Sequence, residues 1–233
     1  MGRITLKRDN YCRKNFNRNR FPASPRHILT NRLSNDKDPK SGKKKGPSRL
    51  RVLVVDNFSP FTEEILNSLR RLEKLHIHRK FFEVTGKDLA QCDKVILSGR
   101  RKYSREINMV NSGIIKSCRL QQKPILGICY GAEILALTLG GSISKMPSHI
   151  QGMTEVSITS ANPLTEGKSS LLVYESHRYC IAKLPLHFKS LASSRLCKHE
   201  VFSSENKLEY GTQFHPEKSG DDGLDLLKNF VKI

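Results

Sequence analysis

Lys123-Pro-Ile-Leu-Gly-Ile-Cys-Tyr-Gly-Ala-Glu133 is the stretch on which the fold turns. Ile125-Leu-Gly-Ile128 is an apolar run with no polar alternation, the pattern of a central strand buried on both faces of a parallel sheet. The run stops at Cys129. Ala132 to Leu139 then has the composition of a helix, ended by Gly140-Gly141. Cys129 therefore stands where a strand turns sharply into a helix, with Gly127 and Gly131 two positions to either side. That spacing is a nucleophile elbow with Cys in place of Ser. The turn needs glycines because side chains there would collide as the backbone doubles back. A helix N-terminus beneath the sulfur favours thiolate over thiol. The bland alternative is a structural Cys between two chance glycines.

Working outward, strand and helix alternate on both sides of the elbow. Leu50 to Asp56 predicts a buried first strand, and Phe61 to Leu75 an amphipathic helix with Ile65, Leu66, Leu69 and Leu72 on one face. His76 to Phe82 predicts a second strand whose histidines face solvent. Cys92 to Ser98 leads into a third strand, and Ile107 to Gln121 into a helix before the elbow. Later come short strands at Thr154–Ile158, Leu171–Tyr174, His187–Leu191, Val201–Phe202 and Leu208–Tyr210. A last helix runs over Asp221–Ile233. The alternation predicts an α/β fold, doubly wound, with a mostly parallel central sheet and flanking helices.

A thiolate that attacks an amide needs a proton shuttle, and the shuttle needs a group to orient it. Gln213-Phe-His-Pro-Glu217 offers both, with His215 and Glu217 on either side of a rigid Pro216. His215 follows Cys129 by 86 residues. Gly127-Ile-Cys-Tyr-Gly131 and Gln213-Phe-His-Pro-Glu217 together resemble the class I (triad) glutamine amidotransferases, over about residues 50–233. The resemblance implies a glutaminase working without metal or cofactor. Cys129 would attack the side-chain amide of glutamine, His215 would move the proton, and Glu217 would orient His215.

The same resemblance assigns further residues. An oxyanion hole would use Gly99, Arg100 and Tyr130, although Arg100-Arg101 replaces the family's Gly-Pro. If that position needs a positive φ, arginine costs ~1–2 kcal/mol. Glu133 stands where the family has Gln against the substrate. Ser176 and His177 fall on a segment whose backbone holds the α-groups of glutamine. Glu175-Ser-His177 with Leu184-Pro185 is similar to GMP synthase subunits. Val55 to Thr62 is similar instead to the glutaminase subunits of anthranilate and aminodeoxychorismate synthases. No acceptor domain follows the elbow domain within this chain, so a separate synthase polypeptide is expected to accept the ammonia. Two other readings stand beside this one: a γ-glutamyl hydrolase or peptidase acting alone, and a non-catalytic regulatory homologue.

Charge divides the chain. Lys and Arg total 41 against 22 Asp and Glu, a net of +19. Residues 1–50 hold 15 against 3, a net of +12, leaving +7 for the rest. Residues 1–48 have few apolar positions and no sustained period, so they predict a disordered basic extension and linker before a domain at 49–233. That extension would either touch a polyanion weakly or remain solvated. The six cysteines include no CxxC pair, which argues against zinc and fits a reducing, cytoplasmic setting. No apolar run approaches the ~20 residues of a membrane span.

Overall fold

The computed structural model describes Arg3–Ile4 and residues 50–233. Arg3–Ile4 forms a two-residue strand, β1, antiparallel to Ile143 and Ser144. The rest of the expected extension lies outside the described residues. The parallel half of the sheet is built from β2 (Arg51–Asp56), β3 (Leu75–Lys80), β4 (Lys94–Leu97), β5 (Ile125–Ile128) and β10 (Glu209–Thr212). Their order is β3-β2-β4-β5-β10, every pair parallel. Beyond β10 the sheet continues antiparallel through β9 (Val201–Ser204) and β8 (Phe188–Ser193) to β6 (Ser142–Ile158), which pairs along its length with β7 (Ser170–Lys183).

The sheet is covered on both faces, and the period-2 pattern shows how. Val52 and Val54 of β2 pack with Ile65, Leu66 and Leu69 of α1 (Thr62–Arg71) and with Leu226, Leu227 and Phe230 of α5 (Gly220–Lys232). Leu53 and Val55 face the other way. They share a core with Leu89 of α2 (Gly86–Gln91), with Ile107, Ile114 and Ile115 of α3 (Arg105–Leu120), and with Ile134 and Leu135 of α4 (Tyr130–Thr138). Strands buried on both sides are apolar at nearly every position, and β4 and β5 are buried throughout, Lys94 at the start of β4 being the charged exception. The doubly wound expectation holds, with an antiparallel arm that adds to it.

That arm is longer than the sequence pattern predicts. β6 runs 17 residues against the expected Thr154–Ile158, and β7 runs 14 against Leu171–Tyr174. The two form one long hairpin with a register shift between Lys145 and Ile150. Helix α2 is a further addition to the expected elements. Thr85 caps it, accepting from the Asp88 N–H while Asp88 accepts from the Thr85 N–H. No helix of the described residues is long and apolar enough to cross a membrane.

Candidate active site

The C-terminal ends of β2, β4, β5 and β10 converge, as sites in open α/β sheets do. From β5 the chain turns into α4 through Cys129, whose φ of 50° and ψ of −106° are unusual for a residue with a side chain. Two close approaches force this turn. A methyl group on Gly127 would lie 2.4 Å from the Gly131 carbonyl, and one on Gly131 would lie 2.3 Å from the Leu97 carbonyl oxygen. The Cys129 N–H donates to the Thr212 carbonyl at 2.8 Å, tying the elbow to β10.

β10 delivers the second group. After Thr212 the chain runs into a short turn at Pro216–Lys218, and the His215 N–H donates to the Tyr174 carbonyl of β7 at 2.9 Å. The Ser219 hydroxyl donates to the His215 carbonyl at 2.6 Å and accepts from the Tyr174 N–H at 2.9 Å. The imidazole Nδ1 lies 2.8 Å from Glu217 Oε1, and the Glu217 side chain is wholly buried. Phe61 packs edge-on against the ring, centroids 4.9 Å apart. Gly99 sits beside both groups: a methyl there would lie 3.0 Å from His215 Cε1 and 3.8 Å from Cys129 Cβ.

The electrostatics correct one expectation. The thiolate expected from the helix N-terminus is opposed by burial, since Cys129 is only 7% accessible. Burial pushes its thiol above the ordinary range, His215 pulls the other way, and Glu133 and Glu217 add to the rise. Burial alone would lower His215, but the Glu217 carboxylate and the Cys129 sulfur outweigh it and hold the imidazole well above its ordinary value. The two groups are coupled: a proton moved from Cys129 to His215 leaves a thiolate and an imidazolium that stabilise each other, with Glu217 behind the ring.

The loop after β4 is held from below. Asn57 donates from its N–H to Ser98 Oγ at 2.9 Å and from its amide to the Ser98 carbonyl at 3.0 Å. Asn111 of α3 donates to Asn57 Oδ1 at 2.7 Å. Neither Gly99 nor Arg100 has a positive φ, so the penalty considered for arginine does not arise. Instead the Arg100 guanidinium lies 3.8 Å over the ring of Tyr130. Tyr130 opens α4, where a backbone N–H has no intrahelical acceptor.

The remaining expected residues separate. Ser176 turns toward the cleft, and its carbonyl oxygen lies 3.8 Å from Cys129 Sγ. Its neighbours on β7 alternate, so His177 points inside and does not line the cleft. Its Nδ1 lies 2.7 Å from the Tyr179 carbonyl, and its Nε2 approaches Glu175 Oε2 at 2.8 Å, an ion-pair approach rather than an aligned hydrogen bond. Glu133 is buried beneath the elbow. Burial pushes its carboxyl up to about 7, against the pull of Arg100 and His177. The cleft has a volume of about 440 Å³. Besides Ser176 and His215 it is bordered by Arg100, Arg101, His149 and Gln151. His149 and Gln151 arrive through the register shift of β6, which the sequence does not signal.

Comparison with known proteins gives a consistent picture. The family model described as "Glutamine amidotransferase class-I" matches residues 53–233. A glutamine-hydrolyzing GMP synthase subunit of Pyrococcus furiosus is 38% identical over 188 residues, covering 78% of this chain and 97% of the relative. The glutamine-hydrolyzing GMP synthase of Proteus mirabilis is 29% identical over 202 residues. The match covers 78% of this chain but only 36% of that longer relative. A solved structure from Thermoplasma acidophilum, described as a GMP synthase subunit protein, superposes with a TM-score of 0.73 at 30% identity, covering 80% of this chain and 94% of that one.

Proposed function

The chain belongs to the class I glutamine amidotransferases, and from that premise we propose that it is the glutamine-hydrolysing subunit of a two-chain GMP synthase. Its domain spans residues 49–233. Cys129 Sγ attacks the γ-amide carbon of glutamine while His215 takes the thiol proton. The carbonyl π pair moves onto oxygen, where the backbone N–H groups of Gly99, Arg100 and Tyr130 receive it. When the carbonyl re-forms, the C–N bond breaks and His215 returns its proton to the departing nitrogen, which leaves as ammonia. Water then cleaves the γ-glutamyl thioester through the same imidazole and releases glutamate. Glu217 fixes the ring and stabilises its charged form. The backbone of the Ser176–His177 segment holds the α-groups of the substrate, while Glu133, buried beneath the elbow, lies behind the cleft and does not touch them.

The observation that carries this reading is the meeting of a strained Cys129 with the buried His215–Glu217 pair, 2.8 Å apart, at the strand ends. The synthase partner is inferred from two relatives. The Pyrococcus relative is matched over 97% of its length, whereas the Proteus relative carries additional chain beyond the match. Ammonia release from glutamine, assayed with and without a candidate synthase partner, tests the proposal. Turnover that rises with the synthase supports it. Turnover of γ-glutamyl amides indifferent to any synthase would point to a hydrolase acting alone.

A further inference from the structure

We propose that Asn108 is a positioning residue for the oxyanion hole, an inference that rests on the assignment of Arg100 and Tyr130 to that hole. Asn108 Oδ1 accepts from Arg100 Nη1 at 2.8 Å and from the Tyr130 hydroxyl at 2.9 Å. Arginine can only donate, so the oxygen's orientation is fixed by its partners. A single carbonyl oxygen thus ties the loop after β4 to the first residue of α4. The stacking of Arg100 on Tyr130 at 3.8 Å closes the third side, and Tyr103 flanks the guanidinium at 5.2 Å.

Helix α3 makes this tie rigid. Ser104 caps it, its hydroxyl accepting from the Ile107 N–H at 3.3 Å. Asn108 and Asn111 are three residues apart and so share a face. Asn111 fixes Asn57, which fixes Ser98 at the root of the loop. Asn108 fixes the side chain two residues further along that loop, at Arg100, together with Tyr130. One helix face therefore sets the root of one donor segment and the separation between both. An arginine side chain at this loop needs an anchor, and Asn108 provides it.

The test uses an aldehyde analogue of glutamine, L-glutamate γ-semialdehyde, with the full chain, affinities being counted on the open-chain aldehyde in equilibrium with the cyclic imine its α-amine forms. Cys129 adds to the aldehyde carbon, the π pair moves to oxygen, and His215 takes the thiol proton, so the adduct presents an oxyanion without needing turnover. Asn108→Leu should weaken the adduct by about tenfold or more, because both donors lose their alignment. Asn108→Asp keeps an acceptor for Arg100 and Tyr130 and should restore affinity. Alkylation of Cys129 by iodoacetamide, which requires no hole, should proceed at the wild-type rate in both variants. Equal adduct affinity in wild type and Asn108→Leu would overturn the inference and leave the site reading standing. Absence of any adduct in the wild type would overturn both. Slowed alkylation in step with the lost adduct would make Asn108 a general structural residue and would also overturn the inference.

Discussion

At the scale of single residues, the site balances burial against charge. Glu217 is the group that keeps His215 protonatable inside the protein. Glu217→Gln should therefore lower the imidazole's pKa and reduce kcat for glutamine by about 10²-fold or more. The pH–rate profile of the variant reads both effects. Glu133 is the second case. Its carboxyl is pushed up to about 7 from 4.5, so the folded chain binds more protons than the unfolded chain between those values. The stability it contributes is full below the lower value and lost as pH rises through the upper one. Glu133→Gln removes that loss. The melting temperature of the variant should gain on wild type between pH 5 and pH 8, by an amount equivalent to about 1–3 kcal/mol. A constant difference across that range would show that Glu133 does not titrate there. Cys129, His215 and Glu217 are legible in the sequence because glycines and a proline punctuate them at fixed spacings. Asn57, Asn108 and Asn111 are not. A lone Asn carries no motif, and Asn57 meets Asn111 only because the fold brings together residues 54 apart in sequence.

At the scale of elements, the strand-to-helix turn leaves no room for a side chain at either of its glycines. Gly127 and Gly131 each face backbone atoms closer than any side chain tolerates. Gly127→Ala or Gly131→Ala should cost about 3 kcal/mol or more, since the obstacle is backbone and no rotamer change relieves it. Chemical denaturation measures this, and a loss below ~1 kcal/mol would mean the elbow can open. Buried strands announce themselves by unbroken apolar runs, which is why β2, β4 and β5 can be read close to their true bounds. The β6–β7 hairpin hides because most of its residues are partly or fully exposed and polar positions are interspersed among the apolar ones. Pairing with each other, rather than composition, makes these segments strands. The cleft residues His149 and Gln151 are hidden with it.

At the scale of the whole molecule, the site is built on the doubly wound half, and the composition of residues 1–48 predicts little part in it. Residues 1–48 supply few apolar groups to any core. Their removal should leave the melting temperature and Cys129 reactivity near wild type, while any binding of the full chain to polyanions should fall steeply with salt and vanish on truncation. An unfolded truncation product would show that the domain depends on the extension beyond the two-residue pairing of β1 with Ile143 and Ser144. The central claim is that Cys129 is the nucleophile for a γ-amide. The described residues include a rival, because Cys180 is half-exposed and its thiol is pulled below the ordinary range by Cys197 and Ser144. A glutamine-like diazoketone, reacted with the full chain and mapped by peptide mass spectrometry, separates the two. The account predicts modification at Cys129 alone, prevented by excess glutamine and slowed by His215→Ala. Modification at Cys180 or spread over the other cysteines, with Cys129 unlabelled, would contradict it.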